Sequence, residues 1–189
     1  MKKLSQPEII KENTMHCPKC KNKDLTATKI DKGLSAMGCQ QCSGALISLL
    51  YYRDWAELSA NNQLNDQLVS AEDIDLENVN DTSTALNCPK CARLMRKFRI
   101  SGCHNNRLDL CNSCDDVWLD DGEWQMLQAL QMSNLMPSIF TIPWQKKVRI
   151  QAQDEDRKQR YIKILGEDDL NKSEQLVVFI NLCHFSTIV

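Results

Sequence analysis

Two short runs, Leu25 to Ile30 and Leu34 to Cys39, mix Leu, Ala, Ile and Met with Thr, Lys and Ser on either side of Asp31-Lys32-Gly33. That is the pattern of two strands joined by a turn. It returns downstream, with Arg93 to Ile100, a turn near Gly102 to Asn106, and Arg107 to Leu110. A helix is expected after each hairpin, begun by the D-x-x-E pairs Asp54 with Glu57 and Asp120 with Glu123. In the second of these, Trp124, Leu127 and Leu130 fall on one helical face. Pro137 and Pro143 then punctuate an irregular stretch, followed by expected helices from about Gln151 to Leu165 and from about Lys172 to Cys183. The most apolar stretch, Leu176 to Val189, has fourteen residues interrupted by Asn181 and His184, too short to span a bilayer.

The two hairpins belong to an internal repeat. Cys17-Pro18-Lys19-Cys20 answers Cys88-Pro89-Lys90-Cys91, and Cys39-Gln40-Gln41-Cys42 answers Cys111-Asn112-Ser113-Cys114. Eighteen residues separate the inner cysteines of the first copy and nineteen those of the second. Asp54-Trp55 and Leu58 likewise answer Glu123-Trp124 and Leu127, after three extra residues in the first copy.

Eight of the ten cysteines lie in these four C-x-x-C pairs, at each end of each hairpin. Tetrahedral zinc takes four thiolates, and a C-x-x-C turn delivers two of them while pointing its backbone N–H groups at the sulfurs. Two structural zinc ions are therefore expected, one on Cys17, Cys20, Cys39 and Cys42 and one on Cys88, Cys91, Cys111 and Cys114. Pro18 and Pro89 fix φ in the tight turn that each first pair needs. Each copy has roughly forty residues, a size at which burial alone rarely stabilises a fold and a metal supplies the difference. A thioredoxin-like redox site needs one C-x-x-C in an α/β pattern, which is absent; iron, which also takes four thiolates, stays open. Cys103, Cys183 and the histidines beside them, with His16, lie outside this grammar and are expected to be bystanders.

The second copy, through Cys88-Pro89-Lys90-Cys91, Cys111-Asn112-Ser113-Cys114 and Val117-Trp118-Leu119-Asp120-Asp121-Gly122-Glu123, resembles the small bacterial zinc-ribbon family named for transcription factor IIB. That family reads C-P-x-C, a hairpin, C-x-x-C-G-G-x-W-L-D-x-G-E and a short helix. The likeness covers about 45 residues; the first copy keeps the cysteines but reads Ala45-Leu46-Ile47-Ser48 where the tail would be. Asp115-Asp116 and Ser43-Gly44 stand in place of Gly-Gly, and Asp tolerates the left-handed backbone such a position uses. The resemblance implies a zinc-binding fold and an association with transcription, but no mechanism, because the ribbon hosts many functions.

Charge narrows the function classes. From Lys90 to Arg107 there are six cations and no acids, whereas residues 54 to 81 carry eight acids and no Lys or Arg. The basic hairpin 90–107 could lie on phosphate or could complement acidic sequence of the same chain. Formal net charge is −2, and two zinc-tetrathiolate centres would take it to about −6. Phe98 is the one aromatic residue in the hairpins, so stacking platforms for bases are scarce. Trp118 and Trp124 are expected in the core.

A protein partner is therefore the first expectation, nucleic-acid binding through the basic hairpin the alternative, and thiol-based redox or metal sensing a minor third. Catalysis is not expected, since four cysteines close each site to water and substrate. Lys2 and Lys3 precede Leu4-Ser5-Gln6-Pro7-Glu8 with no apolar run of signal-peptide length, so a cytoplasmic protein with reduced thiols is expected, and no membrane. The expected fold is a small α+β chain: a zinc ribbon with its helix over 14–60, an acidic linker over 61–85, a second ribbon with its helix over 86–135, and a C-terminal helical segment over 136–189.

Overall fold

Strands β1 (Thr26–Asp31) and β2 (Leu34–Gly38) form the first hairpin, turning at Gly33 with φ 85°, a left-handed value that glycine adopts without strain. The computed structural model describes residues 14–62, 79 and 81–165. After the hairpin come β3 (Ala45–Ser48) and α1 (Leu49–Asn62). The second half repeats the order with β4 (Arg96–Arg99), β5 (Arg107–Cys111), β6 (Asp116–Leu119) and α2 (Glu123–Ala129), and continues into α3 (Met136–Ile139) and α4 (Ile142–Leu165). This is a small α+β fold built on one six-stranded antiparallel sheet in the order β1-β2-β3-β6-β5-β4. Most of the acidic stretch read as a linker, and the helix expected near Lys172 to Cys183, lie outside the described residues. None of the described helices is long and apolar enough to cross a membrane.

The third strand of each half, which the hairpin-plus-helix reading lacks, joins the halves. β3 and β6 pair antiparallel, Ala45 with Leu119, Leu46 with Trp118, Ile47 with Val117 and Ser48 with Asp116. Leu46 and Trp118 each follow the last cysteine of their own set by four residues, so equivalent positions sit opposite each other. The halves are thus related by an approximate two-fold axis through that pair, the geometry of a self-complementary dimer interface within one chain.

Side-chain alternation divides the interior into two clusters. Ala45, Ile47, Val117 and Leu119 face the helices and pack with Leu34, Leu108, Tyr52, Trp124, Met126 and Leu127. Leu46 and Trp118 face the other way and pack with Leu25, Leu86, Met95 and cysteines of both sets. On the helix side the two repeat-equivalent tryptophans, Trp55 and Trp124, meet edge-on at 5.4 Å between ring centroids. Tyr52 of α1 reaches the second half, donating its hydroxyl to the Ser133 carbonyl and accepting the Met136 N–H.

Helix starts differ from the expectation. Helix α1 begins at Leu49, whose N–H donates to the Asp115 carbonyl of the other half at 2.9 Å, so Asp54 lies inside the helix and caps nothing. At α2 half of the expected reciprocal cap forms: the Glu123 carboxylate accepts the Asp120 N–H at 2.9 Å. The Asp120 carboxylate instead accepts the Thr82 N–H at 2.6 Å and the Trp118 indole N–H at 3.2 Å. Helix α4 starts at Ile142 rather than Gln151, because Pro143 falls in its first turn, where a missing N–H costs no hydrogen bond.

Candidate metal centres

Each C-x-x-C pair closes a turn of the same form. The residue after the second cysteine, Lys21, Ser43, Ala92 or Asp115, has φ of 61°, 56°, 58° or 56°. Its N–H donates to the carbonyl of the first cysteine at 2.8 to 2.9 Å. None of the four is glycine, so each stores the strain of an L-residue in the left-handed region, about 1–2 kcal/mol. Four copies of the same strained turn in one small chain mark positions held for what the sulfurs do.

Hairpin pairing brings the turns together. Cys17, Cys20, Cys39 and Cys42 place their sulfurs within 4.8 Å of one another, and so do Cys88, Cys91, Cys111 and Cys114. Individual separations are 3.6 Å for Cys17 to Cys42, 3.9 Å for Cys20 to Cys39 and 3.5 Å for Cys91 to Cys111. Four sulfurs at about 2.3 Å from a tetrahedral zinc are separated by about 3.8 Å, so the donor sets fit such an ion. In each set the first cysteine of each pair is buried and the second is half-buried. All eight predicted ligands are therefore brought together in two groups, each able to hold one metal ion and compatible with structural zinc.

Thiol acidity within each set is uneven. At Cys39 burial opposes ionisation, but the N–H groups of Cys42 and Gln41, with the Cys17 and Cys42 thiols, bring it down to about 7. Cys91 is also lowered to about 7, first by the Arg93 N–H, which outweighs burial, and then by its neighbouring thiols. Burial pushes Cys17, Cys42, Cys88 and Cys114 up. Each cluster thus favours a thiolate hydrogen-bonded by its neighbours, a donor set whose remaining protons a cation would displace.

The bystanders stay apart. Cys103 is exposed in the connection between β4 and β5, where His104 bonds Ser101 at 3.0 Å. His16 pairs with Asp24 at 2.8 Å on the surface, and Cys183 lies outside the described residues.

Sequence reasoning missed the polar supports that tie the two centres together. The lysine inside each C-P-K-C turn reaches an acid at an end of β6: Lys90 to Asp116 at 2.9 Å, and Lys19, from the other half, to Asp120 at 3.3 Å. Burial opposes ionisation of Asp120, but hydrogen bonds from Thr82 and Trp118, with the Lys19 charge, hold its carboxyl below the usual range. Gly44 is the other missed position. A Cβ there would lie 2.4 Å from the Trp118 ring, so the indole seals the first centre by lying against bare backbone. Only the repeated lysine and the glycine after Ser43 signal these contacts in the sequence. Compared with known proteins, the chain matches no family model, no curated protein and no solved structure.

Proposed function

We propose that the chain is a protein-interaction module whose two ribbons are each organised by one structural zinc ion. The reading is non-catalytic, because four cysteines leave no open coordination position in either set. The observation that favours a protein partner is the fate of the basic hairpin. Lys90, Lys97 and Arg107 are held by Asp116, Asp109 and Asp81 of the same chain at 2.9, 2.7 and 2.6 Å. Arg93 and Arg99 donate to Ser113 and Asn105, and Arg96 lies over the Phe98 ring. Charge that looked available for phosphate is largely engaged within the molecule. A role in transcription rests on the family resemblance, and a cytoplasmic site on the need for reduced thiols.

A nucleic-acid reading keeps one support: Arg96, Lys146, Lys147 and Arg149 are exposed and form no ion pair among the described residues. Salt dependence separates the two readings, since each phosphate neutralised on duplex DNA contributes about −0.9 to the log-log slope. The interaction reading expects no binding to random duplex DNA at physiological salt. Salt-sensitive binding that is lost in an Arg96→Ser, Lys146→Ser, Lys147→Ser variant with unchanged zinc content would replace it.

A further inference from the structure

The approximate two-fold axis relates two hairpins whose outer edges are treated differently. In the second half α4 covers β4. The Arg99 N–H donates to the Gln145 side chain at 3.3 Å, the Gln145 amide donates back to the Arg99 carbonyl at 2.9 Å, and the Trp144 indole donates to the Ile100 carbonyl at 3.1 Å. Phe98 on the strand's helix-side face packs edge-on against Phe140 at 5.2 Å.

The first hairpin has the same register. Lys29 pairs with Ser35 as Arg99 pairs with Arg107, and Thr28 with Ala36 as Phe98 with Leu108. Lys29 therefore directs its backbone N–H and carbonyl away from β2 as Arg99 directs its own away from β5, and Ala27, two residues earlier, does the same. No group among the described residues bonds to these outward atoms. Thr26, Ala27, Thr28 and Lys29 are all exposed.

Beside this open edge lies a groove of about 440 Å³ between the hairpin face and the first turn of α2. Its floor includes Thr28, Gly38 and Ala45, where the covered half has Phe98, Leu110 and Val117 at the equivalent positions. Small residues leave room that large ones fill in the other half. Trp124 and Asp121 stand at the groove's α2 side; Asp121 is exposed and without an ion pair among the described residues.

An open strand edge supplies hydrogen bonds to any extended chain, and an adjoining pocket selects among alternate side chains. We infer that β1 is the docking edge for an extended segment of a partner protein, which adds as a strand alongside Ala27 and Lys29, lays an apolar side chain over Thr28 into the outer end of the groove, and extends a Lys or Arg toward Asp121. This inference rests on the reading of the chain as an interaction module and names the surface that reading leaves open. Both side chains belong to one face of the segment, because the groove and Asp121 lie on the same side of the sheet, so the apolar and basic residues are expected at alternate positions.

The test is selection of a displayed library of random nonapeptides on the full-length, zinc-loaded chain. Two variants act as controls. Lys29→Pro removes the outward N–H without touching the ladder to β2, and Thr28→Phe fills the groove as Phe98 does in the other half. Both should keep two zinc ions and the near-ultraviolet spectrum, and if one fails to fold the other still decides. The expected result is an enriched alternating apolar sequence with a Lys or Arg, whose synthetic peptide loses about tenfold or more in affinity for both variants and shifts the amides of Ala27 and Lys29. Enriched peptides that bind the variants equally, or no peptide binding below about 1 mM, would overturn the docking edge. A cellular partner crosslinked to α1 or α4 and indifferent to both variants would also overturn it while leaving the interaction reading standing. Crosslinking to no partner at all would overturn the interaction reading itself, with the library still deciding the groove.

Discussion

The two halves hold their cysteines in the same way and differ in what surrounds them. In the second half the chain continues over its own hairpin, so Phe98 is buried against Phe140 and Ile100 is buried where Trp144 of α4 bonds its carbonyl. In the first half the corresponding edge strand is exposed along Thr26 to Lys29, and its floor is Thr, Gly and Ala. A single sheet nevertheless runs through both, and Leu46 and Trp118 at its middle belong to one buried cluster with cysteines of both halves. The cysteine turns are thus the shared part of the repeat, and the surfaces around them are where the two copies differ. The shared strand pair also means that the less covered half is supported by its neighbour as well as by any metal its own four cysteines hold.

The largest effect should come from Cys88→Ser. A structural zinc contributes on the order of 10–16 kcal/mol of apparent binding free energy, most of it folding free energy, so the second centre should be lost. Four-ligand modules folding independently would leave the first half unchanged. The β3–β6 pairing predicts otherwise: thiol alkylation of Cys17, Cys20 and Cys42 should speed up in the variant, though less than in Cys39→Ser. First-set thiols that react at the wild-type rate would break the link between the halves.

Trp118 and Leu46 test the same link without removing a ligand. Trp118 is fully buried, and Trp118→Ala should cost about 3–5 kcal/mol. Its two-fold counterpart Leu46→Ala should cost about 2–5 kcal/mol. Both should weaken both centres when zinc release to a chelator is followed. Gly44→Ala should cost about 1–3 kcal/mol by overpacking, because its Cβ would sit 2.4 Å from the indole. Combining it with Trp118→Leu should recover part of that loss in a double-mutant cycle read by denaturation.

The cysteine sets were legible from spacing alone, because C-x-x-C turns are local and their pairing follows from the hairpins between them. The sheet's middle was not. Ala45-Leu46-Ile47-Ser48 and Asp116-Val117-Trp118-Leu119 are buried on both faces, so they lack the alternation that marks a half-exposed strand. Their pairing joins segments about seventy residues apart, beyond any local signal. The D-x-x-E at Asp54 misled because the same spacing occurs by chance inside a helix, whose start was set by the Asp115 carbonyl of the other half. The one-sided groove was hidden for a similar reason: Thr28 and Phe98 are both ordinary strand residues, and only the register makes them equivalent.

A smaller effect concerns pH. Burial, with added repulsion from Asp120, Asp81 and Asp109, pushes the Glu123 carboxyl well above its ordinary value of 4.5. The folded chain then holds this proton to higher pH than the unfolded chain does, so the group's contribution is most favourable below that value and declines as pH rises. Glu123→Gln keeps an oxygen for the Asp120 N–H and removes the titration. Its stability relative to the wild type, measured by urea denaturation at fixed free zinc, should rise with pH by up to about 1.4 kcal/mol per unit. A difference independent of pH between about 5 and 8 would mean that Glu123 is ionised without penalty.

The central claim is that two metal ions hold two halves of one sheet as a single unit, and native mass spectrometry of the intact chain tests it most directly. Purified without added metal and then titrated with a chelator, the chain should carry two zinc ions in its compact charge states. Loss of the first ion should be accompanied by expansion, so that the compact one-zinc species stays scarce. A compact chain with one metal or none, or with iron in place of zinc, would contradict the account.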